Sequence, residues 1–187
     1  MKTKSNLTKR KAIKSWISYD WANSVYALVI STAVFPIYFS ANSPELISIF
    51  GFDIKNSALY TAIISCSFII ISLLSPILSS IADLGGKKKN FMKFFSTLGA
   101  LSCLAMYFFT PERYEFALVL SFLASIGFSG SLVFYNAYLP EIVPKKLQDK
   151  VSASGFAMGY LGGAILLISI LALAQFHDAL SISEGYA

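Results

Sequence analysis

Residues 57–82 and 91–109 are two long apolar runs joined by about eight residues, and that join constrains everything around it. The link reads Asp-Leu-Gly-Gly-Lys-Lys-Lys-Asn over 83–90, with Lys93 just beyond. Each run reaches the about 20 residues needed to cross a hydrocarbon core of about 30 Å. No water is present at that depth, so the backbone must pair within each run and the spans must be helices. A closed barrel would instead show alternating segments of about ten residues, and none occurs. Gly85-Gly86 permits the sharp reversal between the runs. Charged residues make up 13% of the chain, against roughly 25% in a soluble domain. The chain therefore reads as an all-α polytopic transmembrane bundle.

The cations are sorted by side. Thirteen of the fifteen fall in three places: Lys2, Lys4, Lys9, Arg10, Lys11 and Lys14 before the first span, the four around the central turn, and Lys145, Lys146 and Lys150 before the last span. Only Lys55 and Arg113 lie in the alternate loops. Short loops rich in Lys and Arg stay cytoplasmic, which predicts a cytoplasmic N-terminus in the cell (inner) membrane. The net charge of +5 is thus an orientation signal and not a nucleic-acid surface. Basic residues of this kind also touch anionic lipid. Cys66 and Cys103 lie mid-span and read as packing thiols, and the first run is too long for a signal-peptide core.

Five spans are predicted, at about 16–40, 57–82, 91–109, 115–139 and 153–175. They follow a loose basic tail over 1–15 and precede a short outer tail over 178–187. In the first span Asp20, Asn23, Ser24, Ala27, Ser31 and Tyr38 fall on one stripe at helical spacing. Buried acids and amides are costly in a membrane and mark routes for solute or protons, although Asp20 also suits a solvated interface. The second span carries Thr61, Ser65, Ser72, Ser75 and Ser79 as a packing face, with Pro76 cancelling the bond to the Ser72 carbonyl. The third is broadly apolar and should lie against lipid. The fourth should close at Pro140, with Asn136 at about the depth of Asn23 and Glu141 at the inner surface. In the fifth, Gly155, Gly159 and Gly163 at four-residue spacing, beside Gly162, favour close helix packing. His177, with Gln175, Asp178 and Glu184, reads as a solvated end. No metal-ligand set and no Ser-His-Asp or Cys-His constellation occurs, so neither a cofactor nor an enzyme is expected.

The central stretch, with Ala82-Asp83, Gly86, Lys87 and Lys88, resembles the signature between the second and third helices of the major facilitator superfamily. Ser79 stands where that pattern opens with Gly, and Leu84 where it has its first basic residue. More specific are Tyr-Asp-Trp-Ala-Asn-Ser at 19–24, Phe-Pro-Ile-Tyr-Phe at 35–39, Tyr-Asn-Ala-Tyr-Leu-Pro-Glu at 135–141 and the run from Val151 to Gly163. These are similar to the superfamily branch of vacuole effluxer (autophagy-related) proteins and their bacterial relatives. The resemblance implies two six-helix halves, alternating access, a cavity lined by the first and fourth helices, and an inner gate at which Asp83 pairs with the opposite half. It also implies amino acids or similar small solutes as cargo. On this reading Asp20, Asn23, Tyr26 and Asn136 line the solute or proton route.

Five spans fall short of twelve, so the sequence reads as an N-terminal portion whose partners are the bilayer, a small solute and the missing C-terminal half. Two other classes stay open. A self-contained membrane subunit would dock through the last span's glycines. An intramembrane enzyme would need an acid–base pair, and the scattered acids offer none.

Overall fold

The computed structural model of the protein describes residues 2–176, with side chains from Lys9 onward. Five helical segments are long and apolar enough to cross a membrane: Lys9–Asn42, Asn56–Leu84, Lys88–Phe108, Pro111–Ile142 and Lys145–Gln175. The first is composite, made of α1 (Lys2–Val25), a π-wound stretch (Tyr26–Val34) and α2 (Phe35–Asn42). A hairpin of β1 (Leu46–Ile49) and β2 (Phe52–Lys55) follows. Then come α3 (Asn56–Leu84), α4 (Lys88–Ala105), α5 (Tyr114–Ile142) and α6 (Lys145–Gln175). The protein is an all-α polytopic membrane bundle.

Helix boundaries depart from the sequence expectations wherever charge and helicity part company. The basic stretch before residue 16 is not a loose tail, since α1 runs through it; no Gly or Pro occurs before Pro36 to stop it. The last helix starts at Lys145 and not at 153, directly after Pro144 in extended conformation. Apolarity marks where a helix enters lipid, whereas the helix itself begins where a breaker lets it. Pro140 does not close α5, which continues to Ile142. Pro76 likewise lies inside α3, and the Ser75 hydroxyl donates to the Ser72 carbonyl at 3.1 Å in place of the missing N–H. The 178–187 tail and His177 lie outside the described residues.

The π stretch was not anticipated. Its winding is visible where the Phe35 N–H donates to the Ile30 carbonyl, five residues back. The Thr32 hydroxyl also reaches five residues back, to the Ala27 carbonyl at 2.6 Å. With Pro36 unable to donate, the Ser31 carbonyl takes a long hydrogen bond of 3.4 Å from the Tyr60 hydroxyl of α3.

Small residues set the helix crossings. A Cβ built on Gly127 of α5 would lie 2.6 Å from the Gly99 Cα and 2.7 Å from the Phe95 carbonyl of α4, so these two backbones touch. Phe95 lies over Gly130. Thus α4 has one exposed side, with Phe94, Leu101 and Leu104, and one tightly packed side, and is less peripheral than its apolar surface suggests. In α3 the packing face is Asn56, Tyr60, Ser67 and Ile71. The expected hydroxyl face, with Thr61, Ser65 and Ser72, is exposed instead. Two apolar clusters fill the bundle, one of Phe35, Phe39, Tyr60 and Phe109 with Leu118, the other of Ile71, Ala82, Phe95 and Phe134.

Candidate functional site

The α6 glycines lie against α1. A Cβ on Gly155 would meet the Trp16 ring at 2.8 Å, and one on Gly163 would meet the Leu28 Cβ at 3.0 Å. Between them, a Cβ on Gly159 would sit 2.5 Å from the Ser24 hydroxyl and 3.2 Å from Asp20 Oδ2. Gly162 faces the Trp21 ring. Asp20 is therefore sealed in the α1–α6 seam, only 3% exposed, and its Oδ2 has no hydrogen-bond partner. It is not the solvated interfacial acid that its sequence position also suited. The Ser24 hydroxyl is the one hydrogen-bonding group found for this carboxyl among the described residues, and an ion buried with so little compensation carries a desolvation cost of several kcal/mol.

Asn23 and Tyr26 face the other way, toward α4 and α5. Both line a cavity of about 410 Å³ with Ser96, Gly99, Cys103 and Gly127. Asn23 Oδ1 accepts from the Ser131 hydroxyl at 3.4 Å, while its Nδ2 is buried without a partner. The Tyr26 hydroxyl is 2.7 Å from the Ser125 hydroxyl. Tyr26 also borders a second cavity, of about 360 Å³, with Ser31, Thr32, Tyr60 and Thr61. Neither space is lined by a charged side chain: the first is mainly apolar, with Asn23, Tyr26 and Ser96 as its polar groups, whereas the second gathers the hydroxyls of Tyr26, Ser31, Thr32, Tyr60 and Thr61. Such groups can exchange hydrogen bonds with a small polar solute.

Asn136 does not join them. It is exposed and borders neither cavity. The depth match expected with Asn23 fails because Ser131 is the residue beside Asn23. Tyr135 is level with Trp16, whose indole N–H donates to the Tyr135 carbonyl at 3.0 Å. Five residues separate Ser131 from Asn136, about 7.5 Å along a helix.

Trp16, Tyr19 and Tyr135 form an aromatic floor that sequence reading passed over. Trp16 and Tyr135 stack with centroids 4.1 Å apart, Tyr19 and Tyr135 at 5.2 Å, and the Tyr19 hydroxyl is 2.6 Å from the Ser96 hydroxyl. The available signal was the clustering of aromatics just inside the basic ends of two spans, where such rings gather.

At the lysine turn, Gly86 adopts φ +58°, a conformation a side chain would strain. Lys88 Nζ reaches Asp83 at 2.5 Å and Glu141 at 2.6 Å. One ammonium therefore ties the end of α3, the start of α4 and the end of α5. Asp83, expected to meet an opposite half, has a partner within this chain. Lys87 is exposed beside it. Among the described residues no three His, Cys, Asp or Glu side chains converge as a metal site would require.

Residues 8–184 match the family described as vacuole effluxer Atg22 like. An uncharacterized MFS-type transporter of Bacillus subtilis (strain 168), YxiO, is 39% identical over 169 residues, covering 88% of this chain and 39% of that protein. Autophagy-related protein 22 of Coccidioides immitis is 28% identical over 175 residues, covering 73% of this chain and 29% of its own length. The corresponding protein of Yarrowia lipolytica is 33% identical over 99 residues. The chain spans well under half the length of these relatives. No solved structure matches it.

Proposed function

The chain belongs to the vacuole effluxer Atg22-like family, and from that premise we propose that it supplies the N-terminal helices of a secondary transporter working by alternating access. The cargo is a small polar solute, amino acids or similar molecules, moved outward with proton coupling. The N-terminus is cytoplasmic and the bilayer is the inner membrane of the cell. The remaining helices come from a C-terminal half equivalent to the rest of the relatives' length. Asn23 and Tyr26 line the solute route. Asp83, Gly86, Lys87 and Lys88 form the inner gating turn, and Gly155, Gly159 and Gly163 let α6 pack closely on α1.

The observation that carries this reading is Asp20, buried beside Gly159 with one carboxylate oxygen unpaired. Opening the α1–α6 seam rehydrates that oxygen, which links proton binding to the state of the seam. The test is a chimera in which this chain replaces the matching stretch of the Bacillus subtilis protein, assayed in proteoliposomes for amino-acid flux across a pH range. Asp20→Asn should flatten the pH dependence while leaving downhill exchange. An unaltered pH profile removes Asp20 from coupling, and no flux of any amino acid by the parent chimera removes the substrate assignment.

A further inference from the structure

The hairpin between the first two spans plays no part in the route described above, yet its tip is built at a cost. The register pairs Ile47 with Ile54 and Ile49 with Phe52, and between these Ser48 with Asp53, with Leu46 opposite Lys55. Facing pairs alternate sides, so one face of the ribbon is Ile47, Ile49, Phe52 and Ile54 and the other is chiefly polar. The turn is Phe50-Gly51, with φ +51° and +83°. Glycine takes such angles freely, but a bulky residue there is an outlier, and two-residue hairpins normally place Asn, Asp or Gly at that position. Phe50 is also 98% exposed and Phe52 73%. A strained aromatic in full contact with water is unfavourable twice over.

The ribbon does not hang loosely. Ile47 is buried at its base. Asn56, at the foot of β2, donates from Nδ2 to the Ser40 carbonyl at 3.1 Å and to the Ser43 hydroxyl at 3.0 Å, and its Oδ1 accepts from the Ser57 N–H at 2.6 Å. The apolar face thus starts on the bundle and continues outward to Phe52 and Phe50 past its edge. The hairpin lies between the end of one span at Asn42 and the start of the next at Asn56, on the membrane side opposite the lysine turn.

We propose that this hairpin is an interfacial anchor whose tip, Phe50 with Ile49 and Phe52, seats in the lipid leaflet opposite Lys87–Lys89, leaving Ser48, Asp53 and Lys55 in the aqueous layer. Lipid is the occupant because the ribbon joins the ends of two membrane-crossing helices, and aromatic rings gather where spans meet the membrane–water boundary. One apolar and one polar face suit a boundary between hydrocarbon and water. Its polar face carries one acid and one base, which cancel and give no charge with which to select a protein partner.

Single-cysteine variants Phe50→Cys and Asp53→Cys, in a Cys66→Ala/Cys103→Ala background of the full chain, are labelled with an environment-sensitive fluorophore. They are then reconstituted in phosphatidylcholine–phosphatidylglycerol vesicles. The label at 50 should emit to the blue of that at 53 and be quenched several-fold more by a nitroxide on a shallow acyl carbon, with iodide showing the reverse preference. Phe52→Cys and Ser48→Cys repeat the comparison without touching the turn, and should alternate in the same way. Equal iodide quenching at both faces overturns the proposal. So does a tip that neither quencher reaches, which would place protein over it.

Discussion

Gly99 and Gly127 face each other at one helix crossing, yet a methyl group should have opposite effects on the two. On Gly127 the new Cβ would meet the Gly99 Cα at 2.6 Å and the Phe95 carbonyl at 2.7 Å. Both are backbone atoms, and no rotamer change can move them aside. On Gly99 the nearest atoms, the Ala124 carbonyl oxygen and the Gly127 carbonyl carbon, stand at 3.5 Å, an ordinary contact. Alanine is favoured over glycine in a helix interior by about 1 kcal/mol. Overpacking a tight site costs about 1–3 kcal/mol, and a backbone clash belongs at the upper end. Gly127→Ala should therefore destabilise by about 2 kcal/mol, and Gly99→Ala should be neutral or stabilise by up to about 1 kcal/mol. For a chain of this size 1 kcal/mol is about 2–4 °C, so thermal unfolding in mild detergent should separate the two variants by roughly 4–12 °C. Equal shifts for the pair, or a silent Gly127→Ala, would refute backbone contact between α4 and α5.

Lys88→Gln removes two ion pairs whose acidic partners are about half exposed, so it should cost about 1 kcal/mol at low salt and less at about 1 M salt. Lys87→Gln, which breaks no ion pair among the described residues, should leave the same chemical-unfolding midpoint unchanged. Asn56→Ala should lower local stability by about 1–3 kcal/mol, read as faster hydrogen exchange over residues 43–57. Asn56→Asp keeps the acceptor for the Ser57 N–H and should recover part of that loss. Tyr135→Phe removes a buried hydroxyl that has no partner, so its unfolding temperature should hold or rise slightly. A marked fall would mean that the hydroxyl makes a bond only another state of the protein reveals.

Hydropathy locates all five crossings because leaving lipid-depth backbone unpaired is the largest local penalty in the chain. It is blind to what the helices do beyond the hydrocarbon. The charged turns at 145–152 and before residue 16 are helical because no breaker stops them, which a solvent-transfer scale does not register. The glycines of α6 were legible as a contact face, since bare backbone at four-residue spacing has few other uses; their partner, α1, needed the fold. The polar stripe on the first span was only half legible. Its uniform 100° spacing holds through Asn23, and the π winding after Val25 then changes the phase. Already within α1, Asp20 with Ser24 turns to α6 while Asn23 turns to α5; beyond Val25 the altered phase aims Tyr26 at Ser125 and brings Ser31 to Tyr60. Phe50-Gly51 carried no recognisable turn signature because the residue that takes φ +51° is one that turn preferences exclude.

The π stretch has a consequence for lineage as well as for shape. A helix wound five residues to the hydrogen bond holds slack that one wound four does not. Loss of a single codon within 26–34 could be absorbed by tightening one loop of the coil, leaving the helices on either side in register with their neighbours. The same deletion in α5 or α6 would swing every downstream glycine off its mate. Among relatives, single-residue gaps within membrane spans should accordingly collect here.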